Sequence, residues 1–210
     1  MASIISKTKT VSAVTFQKLM RSFLIFSIAI LLIIFPYKIS ESASQAKTPI
    51  TTHEITLIFT GDIMQHMPQV EAAWNNELGM YIYDSCFKYI NPWLTNADLT
   101  IANLETTLAG KPYSGYPAFS SPDELVNGML NAGIDLVGTA NNHCCDRGRT
   151  GIERTTSILD SLGMMHFGTY KNAETYHKTN PLIINTRGFR LAFTNYTYGT
   201  NGIPIPENNV

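Results

Sequence analysis

The chain has 210 residues, 44% of them hydrophobic and 15% charged, with a formal net charge of −1. That composition excludes a disordered chain, which lacks the apolar surface to offset its ordering entropy. It also excludes a polycation, so no overall basic field draws the protein to nucleic acid. Residues 1–22 hold Lys7, Lys9, Lys18 and Arg21 and no acid, which makes them a basic cytoplasmic leader. Residues 23–37 are almost wholly apolar and form a signal peptide or a membrane anchor. The apolar run from Phe23 to Phe35 is shorter than the roughly 20 residues that span a bilayer comfortably. Ser44 and Ala46 have the small size a cleavage site needs, and cleavage and retention both stay open. Basic residues stay on the cytoplasmic side, so the rest of the chain is expected at the extracytoplasmic face, anchored or secreted. Residues 38–52 are rich in Ser, Thr, Ala and Lys and read as a flexible tether. Residues 53–210 are then the folded domain.

Within that domain, Glu54 to Thr60 is β-branched and aromatic, a strand ending at Gly61-Asp62. A helix is predicted between Pro68 and Glu77, and another between Asp84 and Asn96, kinked or ended by Pro92. Leu99 to Asn103 is a short strand. Ser121-Pro122-Asp123-Glu124 predicts a helix start with Ser121 as the cap, and Gly133 marks the helix end. Leu136 to Thr139 is a strand, Thr150 to Leu162 a helix closed by Gly163, and Met165 to Phe167 a brief strand. Leu182 to Thr186 and Phe189 to Asn195 form a hairpin around Arg187-Gly188. Beyond Tyr198 the chain is rich in Gly, Pro and Asn and shows no periodicity. Strands alternating with helices give an α/β layered fold, in which ligands collect where strands end and loops begin. Cys86, Cys144 and Cys145 show neither a disulfide framework nor zinc spacing and read as small buried hydrophobes.

Three strand ends carry dense polar clusters: Thr60-Gly61-Asp62, then Ala102-Asn103-Leu104-Glu105, then Thr139-Ala140-Asn141-Asn142-His143 with Asp146 and Arg147 following. If the strands are neighbours, the loops converge at one sheet edge. Carboxylates, amides and an imidazole suit a hard or borderline divalent metal, not a thiolate site. Such an ion orients a water and neutralises a phosphoryl oxygen, and a histidine beside it can protonate a leaving group. Taken singly the clusters are weak: Gly-Asp is commonly a turn, and buried amides commonly serve structure. Their order along the chain favours function. Tyr116, with Tyr113 and Phe119 in a Gly/Pro/Ser loop, is a candidate ligand-contacting residue, with packing the plainer alternative. Arg147 is a candidate contact for an anionic substrate, with simple solvation the alternative.

GDIM at Gly61–Met64, ANLETTLAG at Ala102–Gly110, PYSGYPAFSSPDEL at Pro112–Leu125, TANNHCCDRGRTGIERT at Thr139–Thr155 and NYTYGTNGIP at Asn195–Pro204 carry a resemblance. Together they resemble the bacterial capsule synthesis family that includes poly-γ-glutamate synthesis and export proteins, a divergent branch of the calcineurin-like metallophosphatases. The resemblance implies a layered metallophosphatase-like sandwich, of which this chain would hold only the N-terminal half, with the second sheet largely absent and an apolar face left uncovered. It implies a divalent metal (Mn, Fe or Zn) held by Asp62, Glu105, Asn142 and Asn103, with His143 as proton donor and Asp146 as its support. The family's histidine two residues after the first aspartate is Met64 here, and the further histidines expected from a C-terminal half have no counterpart. The implied role is accessory: synthesis or export of an anionic capsular polymer such as poly-γ-glutamate, beside membrane synthase or export proteins. The alternatives are a metal-dependent phosphoesterase and a polymer-binding module without chemistry.

Overall fold

The computed structural model describes residues 52–207, 209 and 210, together with a helical stretch at residues 17, 18, 20–25 and 27. Most of the expected leader, membrane segment and tether lies outside the described residues. Among the described residues no helix is long and apolar enough to cross a membrane. Residues from His53 to Val210 form one compact unit.

That unit is built on a four-stranded parallel sheet in the order β1 (Leu57–Ile63), β4 (Leu99–Leu104), β5 (Leu136–Gly138), β6 (Met165–Phe167). Parallel strands need crossovers, and helices supply them. α4 (Glu124–Ala132) precedes β5 and α5 (Gly148–Leu162) precedes β6. Both helices end on a left-handed glycine as predicted, at Gly133 and Gly163. The start of α4 differs from expectation. Ser121 does not cap it; its hydroxyl pairs with Thr106 instead, 2.9 Å away, and Asp123 takes the capping position with its carboxylate held by Arg154. Tertiary hydrogen bonds outcompeted the local cap.

Alternation along the strands sorts side chains to two faces. Ala102, Leu104 and Val137 face the helices, packing with Leu125, Val126, Met129 and Leu159. Leu99, Ile101, Leu136 and Phe167 face the other way and meet Phe193, Leu182, Ile184 and Leu191. The last four belong to a hairpin of β7 (Leu182–Thr186) and β8 (Phe189–Phe193). Its turn residues Arg187 and Gly188 both have positive φ, 51° and 84°, the geometry that matches strand twist in a two-residue turn. The second face is therefore partly covered, while Phe59 on the edge strand β1 stays 67% exposed.

Several short elements escaped the sequence reading. The first helix, α1 (Met67–Ala73), stops early because Trp74–Asn75 (β2) turns back to pair with Met80–Tyr81 (β3). The segment around Pro92 is two single-turn helices, α2 (Asp84–Phe87) and α3 (Asn91–Leu94), with the proline in the first turn of the second. α6 (Ala173–Thr179) is capped by Asn172, whose side chain accepts from the Thr175 N–H. Cys144 and Cys145 are buried and unbridged, as expected, and burial pushes the Cys145 thiol up to about 12, whereas Cys86, expected to be buried too, is exposed on α2.

Candidate functional site

The carboxyl ends of β1, β4 and β5 do converge. β1 runs in register with β4 through Phe59 opposite Ile101, yet Asp62 stands opposite Asn103. Three steps on β1 match two on β4, so one extra residue is inserted around Gly61. A bulge of this kind re-aims the side chain that follows it. Here it brings the Asp62 carboxylate within 2.8 Å of the Asn103 amide nitrogen. The same nitrogen reaches Glu105 at 3.3 Å, so Asn103 bridges the two carboxylates.

The direction of the Asn103 amide is fixed by a chain of bonds anchored in backbone. The His143 N–H donates to Asn141 Oδ1 at 3.1 Å. Asn141 Nδ2 must then face the other way, and it donates to the Leu104 carbonyl at 2.9 Å and to Asn103 Oδ1 at 3.1 Å. A backbone N–H can only donate and a carbonyl can only accept, so neither amide can be reversed. Asn103 thus presents nitrogen, not oxygen, to the carboxylates. The sequence expectation of a metal-ligating Asn103 gives way to a residue that holds Asp62 and Glu105 side by side.

Glu105 is largely enclosed, with 12% of its side chain exposed. Its carboxyl is raised above the usual range, first by burial and then by the neighbouring Asp62, with His143 and Asn142 pulling the other way. Two carboxylates held together against their repulsion form a pocket of negative charge that a cation would relieve. The donor set is oxygen-rich and fits a hard divalent ion. Among the described residues, no three His, Cys, Asp or Glu side chains converge closely enough to hold an ion by themselves. Amide oxygens or water would have to complete a shell begun by Asp62 and Glu105. Asn142 is exposed beside this pair, and among the described residues its side chain bonds the Asn201 amide, so unlike Asn103 no backbone group stops it turning its oxygen toward an ion.

His143 is buried and rigidly held. Its Nδ1 lies 2.8 Å from Asp146 Oδ2, and the Asp146 side chain is fully enclosed. The same oxygen accepts the Phe119 N–H at 2.7 Å. A carboxylate can only accept, so Nδ1 carries the hydrogen and Nε2 is directed at Glu105, 4.0 Å away. The Phe119 ring meets His143 edge-on at 4.7 Å, and His66 meets Phe119 at 5.3 Å. His66 therefore supports the site through Phe119 and heads α1. The other histidines lie elsewhere: His53 packs on Phe189, His166 pairs with Asp160, and His177 is on α6.

Arg147 is placed differently from expectation. Its guanidinium donates to Ser114 Oγ and to the Pro112 carbonyl, which ties down the loop that carries Phe119. Tyr116 stands 75% exposed on that loop, free of the packing alternative. Three asparagines fell inside the polar clusters and sequence motifs but were given no role at the site: Asn141, Asn195 and Asn201. Asn195 Oδ1 accepts the Ala140 N–H at 2.6 Å and its Nδ2 donates to the Ala140 carbonyl at 3.1 Å. Its trace in the sequence is a polar residue directly after the apolar β8 run, at the head of the NYTYGTNGIP stretch.

Comparison with known proteins supplies the family. The model of the family described as bacterial capsule synthesis protein PGA_cap matches residues 56–209. The chain belongs to this bacterial capsule synthesis family. It is 25% identical over 166 residues to the capsule biosynthesis protein CapA of Bacillus anthracis, covering 71% of this chain and 39% of that protein. Two uncharacterized proteins of Sinorhizobium fredii, y4sH and y4uA, are each 35% identical over 91 residues, which is 39% of this chain and 20% of theirs. The chain thus spans less than half the length of the curated relatives it matches. The polar clusters at Asp62, Asn103–Glu105 and Asn141–Asp146 all fall inside the region that matches this capsule synthesis family.

Proposed function

We propose that this family member assists the synthesis or export of an anionic capsular polymer such as poly-γ-glutamate at the extracytoplasmic face of the membrane, beside membrane-embedded synthase or export proteins. We further propose that its site performs metal-assisted hydrolysis, with a phosphoester or a related polymer linkage as substrate. The observation that supports the chemistry is the pairing of a His143–Asp146 dyad with the Asp62–Glu105 carboxylate pair at one sheet edge.

In this reading Asp62 and Glu105, with Asn142 beside them, would hold one Mn, Fe or Zn ion, which when bound supplies a Lewis acid and a more acidic water. The protein's own residues do the rest. Asn103 keeps the two carboxylates together in the orientation that the Asn141 relay fixes. Asp146 holds the Nδ1 proton of His143 and so keeps Nε2 turned toward the carboxylates, where, once it has taken a second proton, it can pass that proton to a leaving oxygen. Phe119 and His66 limit the ring's rotation and keep bulk water from its edge.

A second reading, a polymer-binding module without chemistry, is favoured by the exposed Tyr116 and by the small number of charged ligands. Metal content of the purified protein, measured by mass spectrometry at known concentration, separates the two. Near-stoichiometric metal that is lost in Asp62→Ala and Glu105→Ala, with phosphoesterase turnover lost in His143→Ala, supports the hydrolase. A folded protein that takes up no Mn, Fe or Zn refutes it and leaves polymer binding, tested by pull-down with Tyr116→Ala.

A further inference from the structure

The segment after β8 has no periodicity, yet it returns to the site and is pinned at both ends. Asn195 holds its near end to Ala140 by two hydrogen bonds. Asn209, fully buried, holds its far end: its side-chain nitrogen donates to the Tyr170 and Lys171 carbonyls, and its side-chain oxygen accepts from Arg149. Between these anchors the buried Thr200 closes a turn with Ile203, its hydroxyl and carbonyl both bonding that residue's backbone. Asn201 and Gly202 occupy the turn with positive φ, 53° and 77°. Asparagine tolerates that conformation better than most residues. A turn by itself would need nothing from the side chain, but this one aims it at His143.

Asn201 Nδ2 lies 3.4 Å from both ring nitrogens of His143. No point in the ring plane satisfies both distances without overlapping Cε1, so the amide sits out of that plane. It leaves the in-plane positions alone, where Nδ1 serves Asp146 and Nε2 faces Glu105. Asn201 Oδ1 meanwhile accepts from Asn142 Nδ2 at 3.4 Å. The residue is exposed, and an amide nitrogen has two hydrogens. The amide nitrogen is therefore left with donor capacity for a ligand beside His143 and Asn142.

We infer that Asn201 is a substrate-binding residue whose side-chain N–H donates to an anionic oxygen, phosphoryl or carboxylate, seated between His143 and the Asp62–Glu105 pair. This rests on the hydrolase reading above. The chemistry suits the position: the site already holds two carboxylates, and a neutral donor adds attraction for an anion without competing for the cation.

The test uses the full chain and Mn(II) alone, followed in its spectroscopic signal, and then inorganic phosphate and glutarate titrated separately by calorimetry. Two variants preserve the backbone at positive φ. Asn201→Gly removes the amide, and Asn201→Asp keeps its shape but replaces the donor with a negative charge. With Mn(II) uptake retained, anion affinity is expected to fall about fivefold in the glycine variant, the weight of one hydrogen bond, and by tenfold or more in the aspartate variant. A loss confined to phosphate identifies a phosphoryl oxygen, and a loss confined to glutarate identifies a carboxylate. Both variants binding both anions like the wild type, with Mn(II) uptake intact, overturns the inference and leaves the hydrolase reading standing. A wild-type chain that takes up no Mn(II), Fe(II) or Zn(II) removes both.

Discussion

Removing the Asp146 carboxylate tests whether the dyad is held as described. One of its oxygens accepts two hydrogen bonds, from the Phe119 N–H at 2.7 Å and from His143 Nδ1 at 2.8 Å, and the side chain is fully enclosed. Hydrogen bonds to a buried charge contribute roughly 1.5–3 kcal/mol each, so Asp146→Ala forfeits about 3–6 kcal/mol. Part of this is already offset in the wild type, because Asp146 Oδ1 is buried without a partner and such a group costs about 1–3 kcal/mol. The net loss is then about 2–3 kcal/mol. With a urea slope of about 2 kcal/mol per molar, the middle of the usual range, the unfolding midpoint of the full chain should fall by about 1–1.5 M. Asp146→Asn keeps an accepting oxygen without the charge and should fall by less. Amide exchange at Phe119 should accelerate in both variants, most in the alanine, because that N–H loses its acceptor. An unfolding free energy within about 0.5 kcal/mol of wild type for Asp146→Ala, with an unchanged slope, would refute the account, since that is the scatter of ordinary surface substitutions.

The raised Glu105 carboxyl carries a pH prediction. Its folded value lies above the unfolded one, so the stability it contributes is fully present below the unfolded value and is lost as pH rises through the folded value. Metal-free Glu105→Gln should therefore be more stable than wild type at neutral pH and converge with it in acid, as read by thermal unfolding at each pH. Added Mn(II) should stabilise wild type more than the variant. Asp98 has the opposite sign: the Thr56 N–H and Arg187 hold its carboxyl below the usual range, so its contribution disappears as pH falls through that lowered value, and Asp98→Asn should flatten the acid limb of the stability profile. Gly168 has φ 112°, and a Cβ there would stand 2.3 Å from Asn195 Oδ1 and 2.7 Å from the Ala140 nitrogen. Gly168→Ala should cost more than about 2 kcal/mol in urea unfolding. Asn195→Ala, which leaves both Ala140 backbone groups without partners, should cost about 2–3 kcal/mol by the same measurement.

The sequence by itself determined the alternation of strands and helices and their glycine ends. It also showed that Asp62, Glu105 and His143 follow strands that would bring them together. These features are local: β-branched runs, left-handed glycines and polar residues abutting apolar ones are visible at short range. The hairpin at Arg187-Gly188 was legible for the same reason. Tertiary structure decided what each polar residue does. Ser121 looked like a cap, and only the fold brings Thr106 to its hydroxyl. Asn103 looked like a ligand, and only the relay from the His143 N–H through Asn141 turns its nitrogen to the carboxylates. Arg147 looked available to an anion, and only the fold brings Pro112 and Ser114 to one of its nitrogens. Asn195 and Asn201 reach the site from more than 50 residues away, through contacts with Ala140 and His143 that no periodicity encodes. A hydrogen bond depends on where two groups meet in space, and for partners so distant in the chain that position exists only once the sheet has formed.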